Sequence, residues 1–115
     1  MFNWFKRNSQ GKSILANWNI EDIPGFEKIY NPDSVQYVNN DGSKVIYFSV
    51  LTVSGNDLFP IDAYTVDPSV IEDTNGWKLK GAKKSKNQIL VCVISGVNPD
   101  DIGWAKAFFD SIKPR

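Results

Sequence analysis

The sequence predicts an α+β fold: an antiparallel sheet of about five or six strands with a C-terminal amphipathic helix packed on one face. Three observations carry this. Trp77-Lys78-Leu79-Lys80-Gly81 alternates strictly, with Trp77, Leu79 and Gly81 on one face and the lysines on the other, which is the period of a strand with one buried face. Ile89-Leu90-Val91-Cys92-Val93-Ile94 is apolar at every position and rich in β-branched residues, the pattern of a central strand covered on both sides. The chain then passes into an amphipathic segment with a clear start. Asn98 can cap it, Pro99 suits the first helical position, and Asp100 and Asp101 complement the positive end of the helix dipole. Trp104, Phe108, Ile112, Ala105, Phe109 and Ile102 fill one arc of the wheel, with Lys106, Asp110 and Lys113 opposite. Such an arc must dock on something apolar, and the sheet is the obvious partner. Pro114 stops the helix.

Phe2-Asn3-Trp4-Phe5-Lys6-Arg7 is aromatic and basic, and Ser9 to Ser13 is linker-like, so residues 1–13 read as an N-terminal segment that is flexible or docked on the protein's own surface. Gly11-Lys12-Ser13 lacks the earlier glycine and strand of a phosphate-binding loop. Ile14 to Ile23 gives no clear signal, and Pro24-Gly25 marks a turn. Glu27 to Tyr30 and Val35 to Val38 read as strands around Asn31-Pro32-Asp33. Asn39-Asn40-Asp41-Gly42 is a hairpin turn. Lys44 to Val53 follows as a long strand apolar on both faces, with Val45, Tyr47, Leu51 and Val53 on one and Ile46, Phe48 and Val50 on the other. Ile61 to Val66 offers another strand. Asp67-Pro68-Ser69 reads as a second helix start, with Val70 to Asp73 as one turn. Lys83 to Asn87 reads as the turn between the last two strands.

The 115 residues fit one domain, 1–115, and 42% hydrophobic content supports a core. The longest apolar run is six residues, against the roughly 20 needed to span a membrane. Met1 to Arg7 runs from apolar to basic, the reverse of a secretory signal. With one cysteine, Cys92, a cytoplasmic location is expected. Thirteen basic and 13 acidic residues give no net charge, which argues against nucleic-acid binding. The absence of histidine removes the commonest general base and metal ligand. Cys92 then lacks a histidine to activate it and reads as an inert buried thiol. No catalytic residue, metal site or cofactor is expected.

Charge is nevertheless uneven. No Lys or Arg occurs from Val45 to Trp77, where Asp57, Asp62, Asp67, Glu72 and Asp73 lie; Lys78, Lys80, Lys83, Lys84 and Lys86 follow. The aspartate spacing does not match a calcium loop. The carboxylates read either as solvated surface or as an acidic face for a basic partner. The lysines read as charges that keep a hairpin soluble or that contact phosphate.

The closing order of elements, Gly76-Trp77-Lys78-Leu79-Lys80-Gly81, hairpin, apolar strand and a helix ending Ala107-Phe108-Phe109-Asp110-Ser111-Ile112-Lys113, resembles the C-terminal half of the Mog1/PsbP/DcrB group. The resemblance covers about the last 40 residues, and small bacterial immunity proteins and secretion chaperones are similar in this respect. It implies an antiparallel sheet flanked by helices and a non-catalytic binding or adaptor role. No functional residue carries over.

The leading expectation is a non-enzymatic protein-binding domain, such as an immunity protein or adaptor that occludes a toxin or effector through Asp57, Asp62, Asp67, Glu72 and Asp73. The alternative is a small-ligand carrier whose pocket, between sheet and helix, is lined by Trp77, Trp104 and Phe108. A third reading, an enzyme working with carboxylates alone, needs a perturbed acid pair that sequence cannot reveal.

Overall fold

The computed structural model describes residues 14–52, 66–85 and 88–115, and of Val66 and Asp67 the backbone. Its strands are β1 (Trp18–Asn19), β2 (Phe26–Asn31), β3 (Ser34–Asn39), β4 (Lys44–Thr52), β5 (Val66–Asp73), β6 (Gly76–Ser85), β7 (Gln88–Gly96) and β8 (Lys113–Pro114). One turn of 3₁₀ helix, Pro99–Asp101, leads into α1 (Ile102–Ser111). Strands β2 to β7 form one antiparallel sheet in the order β2-β3-β4-β7-β6-β5, and β1 pairs with β8 in a separate two-stranded ribbon. The fold class read from the sequence is therefore correct.

Local chemistry fixes the hairpins. In the β3–β4 turn the Asn39 side chain accepts from the Lys44 N–H and donates to Ser43 Oγ, both at 3.0 Å. Asp41 Oδ1 accepts from the Ser43 N–H at 3.0 Å; the Ser43 hydroxyl first, and then this N–H, hold the Asp41 carboxyl below its usual range. Gly42 supplies the positive φ, 74°, that the turn requires. β4 and β7, the two long apolar runs, pair side by side at the centre from Lys44↔Gly96 to Thr52↔Gln88.

The core lies on one face of this sheet. Val35, Ile46, Phe48, Leu79, Leu90, Cys92 and Ile94 are buried there beneath Ala105, Phe108 and Phe109 of α1 and Ile112 beyond it. Gly81 allows the closest approach: a Cβ at that position would lie 2.6 Å from Phe109 Cζ. Tyr37, Phe48, Phe108, Trp104 and Phe26 form a chain of ring contacts with centroids 5.6–6.4 Å apart, within the range in which aromatic pairs add to their burial. The ammonium of Lys83 donates to the Ile112 carbonyl at 2.7 Å and lies 4.7 Å from the Phe109 ring centre, placing a cation at the negative end of the helix.

Four expectations change. Val70 to Asp73 belongs to strand β5, not to a helical turn, because pairing with β6 supplies more backbone hydrogen bonds than a single isolated turn can. Pro68 is tolerated there because β5 is an edge strand and its register shifts between Val66 and Ser69. Lys83, Lys84 and Ser85 extend β6 rather than forming the turn. β4 and β7 are not covered equally on both faces: Leu51 is 54% exposed, and Val45, Tyr47, Val91 and Val93 are half-buried. The unassigned region around Trp18 holds a clasp. Trp18 is 1% exposed, its indole donates to Gln88 Oε1 at 3.2 Å, and Arg115 donates to the Trp18 carbonyl at 3.1 Å. Pro114 does not end the helix; Ile112 is already extended, and Lys113 and Pro114 form β8.

Candidate functional site: the second face of the sheet

Strand pairing determines which side chains share the face opposite α1. Two rows run across five strands. One is Val38, Val45, Ser95, Lys78 and Ile71; the next is Gln36, Tyr47, Val93, Lys80 and Ser69. Side chains in such a row are lateral neighbours on one surface. None of Val45, Tyr47, Val91 and Val93 belongs to the core cluster or packs against it. Ala82 and Ile89, toward the β6–β7 end of the same face, are buried outside that cluster. The end carrying the two rows bears Ile71, Lys78 and Lys80, all exposed.

At that end the surface deepens into a cleft of about 550 Å³. Its floor is Val45, Ser95 and Lys78. Its walls are the β3–β4 turn at Gly42 and Ser43, the β5–β6 turn at Asn75 and Gly76, and Val97 beyond β7. Ile71 and Val97, both lining it, are 56% and 62% exposed. Lys78 and Lys80 also line it, and among the described residues neither has a carboxylate within ion-pair distance. Asp73 is the acidic group in the lining; its Oδ1 accepts from the Asn75 N–H at 2.8 Å, which shapes the turn. Trp77 closes the cleft from beneath. Its indole donates to the Asn98 carbonyl at 2.7 Å, and its ring fills the space above Gly96, where a Cβ would meet Trp77 Cζ2 at 2.5 Å.

The residues singled out from sequence are dispersed by this geometry. Asp57 and Asp62 lie outside the described residues, as does the side chain of Asp67. Glu72 and Asp73 are adjacent on β5 and both exposed, so they point to opposite faces: Glu72 pairs with Trp77 and Asp73 with Gly76. Trp104 stacks between Phe26 and Phe108, at 6.0 Å from each, with the Lys44 ammonium 5.4 Å above its ring. Lys44 in turn lies 3.7 Å from Asp101, tying the β3–β4 turn to the start of the helix. Trp77 sits at the β7–α1 connection instead. A second cleft, about 250 Å³, opens beside the β1–β8 clasp between Leu15, Trp18, Tyr30, Tyr37, Lys28 and Arg115.

The interior offers little chemistry. Burial pushes the Cys92 thiol up to about 12, against a smaller opposing pull from Lys83. Burial likewise raises Tyr37 to about 12, with Tyr30 and Asp22 adding to it. Both groups are thereby held protonated and unreactive at neutral pH. Among the described residues every buried side-chain polar atom has a hydrogen-bond partner, and no group of three His, Cys, Asp or Glu is placed to hold a metal ion. No helix among them is long and apolar enough to cross a membrane.

Sequence reasoning placed Lys78 and Lys80 on one face of their strand and Val45 on one face of its own, but neither joined those faces nor found the cleft. Ile71 was hidden by the helical reading of its segment, and Val97 by its place in an irregular connection. No family model and no curated protein matches this chain.

Proposed function

We propose that this protein is a non-enzymatic protein-binding domain, an adaptor or immunity protein, that engages its partner through the sheet face opposite α1. One observation supports this above the others. The helix, the β1–β8 clasp and the packed aromatic rings gather on one face, while Tyr47, Val45, Val93 and Ile71 stay in reach of water on the other. Apolar side chains grouped on a surface mark contact sites. Tyrosine is among the residue types that dominate such contacts. The resemblance of the last 40 residues to the Mog1/PsbP/DcrB group points the same way, toward an adaptor role.

The test is capture of the tagged protein from its own cells, with bound protein identified by mass spectrometry and the capture repeated with Tyr47→Ala and Glu72→Lys. Loss with Tyr47→Ala alone supports the reading. Loss with Glu72→Lys alone assigns binding to the acidic edge instead.

A further inference from the structure

We infer that the cleft at the Gly42–Gly76–Val97 end of the open face takes an acidic polypeptide segment, one that presents carboxylates to Lys78 and Lys80 and an apolar side chain between Ile71 and Val97. The inference rests on the protein-binding reading above and names the partner chemistry of that same face. Its geometric basis is the row Val45, Ser95, Lys78, Ile71, in which apolar and cationic side chains stand side by side at the lateral spacing of neighbouring strands. Lys78 and Lys80 lie two residues apart on one strand, so their ammonium groups meet alternate side chains of an extended segment laid along β6. Neither is committed to an ion pair among the described residues, whereas Lys83, on the other face, is held by the Ile112 carbonyl. The half-buried Ser43, the exposed Asn75 and the strand-end backbone at the rim can complete the hydrogen bonding of a peptide.

The same features favour polypeptide over other anions. Asp73 lines the cleft beside the lysines, which penalises a phosphate backbone but leaves room for spaced carboxylates. The chain has no net charge, so it lacks the broad positive field that draws nucleic acid or an anionic membrane. Ile71 and Val97, each more than half exposed at the cleft wall, require an apolar group from the occupant.

The test uses the full chain and three dodecapeptide probes, each with one central Leu-Leu pair and aspartate, serine or lysine at every other position, so that either face of an extended probe presents leucine beside the second residue. Glycine amides occupy a separate region of a proton–nitrogen correlation spectrum, and Gly42, Gly76 and Gly96 ring the cleft. The expected result is saturable shifts at those three glycines with the aspartate probe. Raising salt to about 0.5 M should suppress them, and Lys78→Glu with Lys80→Glu should weaken binding about tenfold or more. Equal affinity for the serine probe, preference for the lysine probe, or no shift with any of them overturns the inference. So would the same shifts produced by an oligothymidylate, by phosphatidylserine vesicles or by raising the protein concentration alone. These outcomes leave the protein-binding reading to the Tyr47→Ala capture, which does not depend on the probes.

Discussion

Substituting Gly81 by alanine probes the docking of α1 on the sheet at its tightest point. The new Cβ would lie 2.6 Å from Phe109 Cζ and 2.8 Å from Cε1. Phe109 is 3% exposed and belongs to the core cluster. Overpacking of this kind costs about 1–3 kcal/mol. Replacing a strand glycine returns about 0.5–1 kcal/mol by limiting the unfolded chain. The net loss is then roughly 1–2 kcal/mol, a fall in Tm of about 4–8 °C for a chain of this length. Thermal unfolding followed by circular dichroism, with urea titration for the free energy, reads it directly. Phe109→Leu, which shortens the opposing ring, should rescue part of the loss. The double variant should be more stable than the sum of the two single effects by at least about 0.5 kcal/mol. A Gly81→Ala protein as stable as the parent, or strict additivity with Phe109→Leu, would refute the close contact.

Two further outcomes follow from the same core. Because folding raises the Cys92 thiol from 9.0 to about 12, the folded state holds its proton where the unfolded state releases it. Stability from this group is whole below pH 9 and is lost as pH climbs toward 12, at up to about 1.4 kcal/mol per pH unit. Urea midpoints measured from pH 8 to pH 10.5 should fall less steeply for Cys92→Ala than for the parent; parallel curves would contradict the burial. Lys83→Met keeps the aliphatic stem but removes the bonds to the Ile112 and Asp110 carbonyls. A loss of about 1–2 kcal/mol in urea unfolding is expected, and a change within about 0.5 kcal/mol would reduce Lys83 to a surface charge.

The fold was legible where pattern and tertiary demand agree. The alternation of Trp77 to Gly81 and the aromatic arc of α1 each specify the face they bury, and the apolar run of Ile89 to Ile94 specifies a central strand. Strand β5 was misread because Asp67-Pro68-Ser69 carries a local helix-start signal that edge pairing with β6 overrides. The clasp was missed because two residues per strand are too few to show a period; what stabilises it is the burial of Trp18 and the hydrogen bonds of Arg115, made across nearly the whole chain. The candidate site was legible only in part. Lys78 and Lys80 are assigned to one face by alternation alone, but the cleft depends on three connections meeting at one end of the sheet. Connections leave no periodic trace in sequence.

The central claim is that the face bearing Tyr47 is the binding surface. Calorimetric titration of the captured partner into the parent protein and into Tyr47→Ala tests it most directly. The account predicts binding at least about tenfold weaker for Tyr47→Ala, or about 1.4 kcal/mol, with Tm close to that of the parent. An unchanged Kd would contradict it.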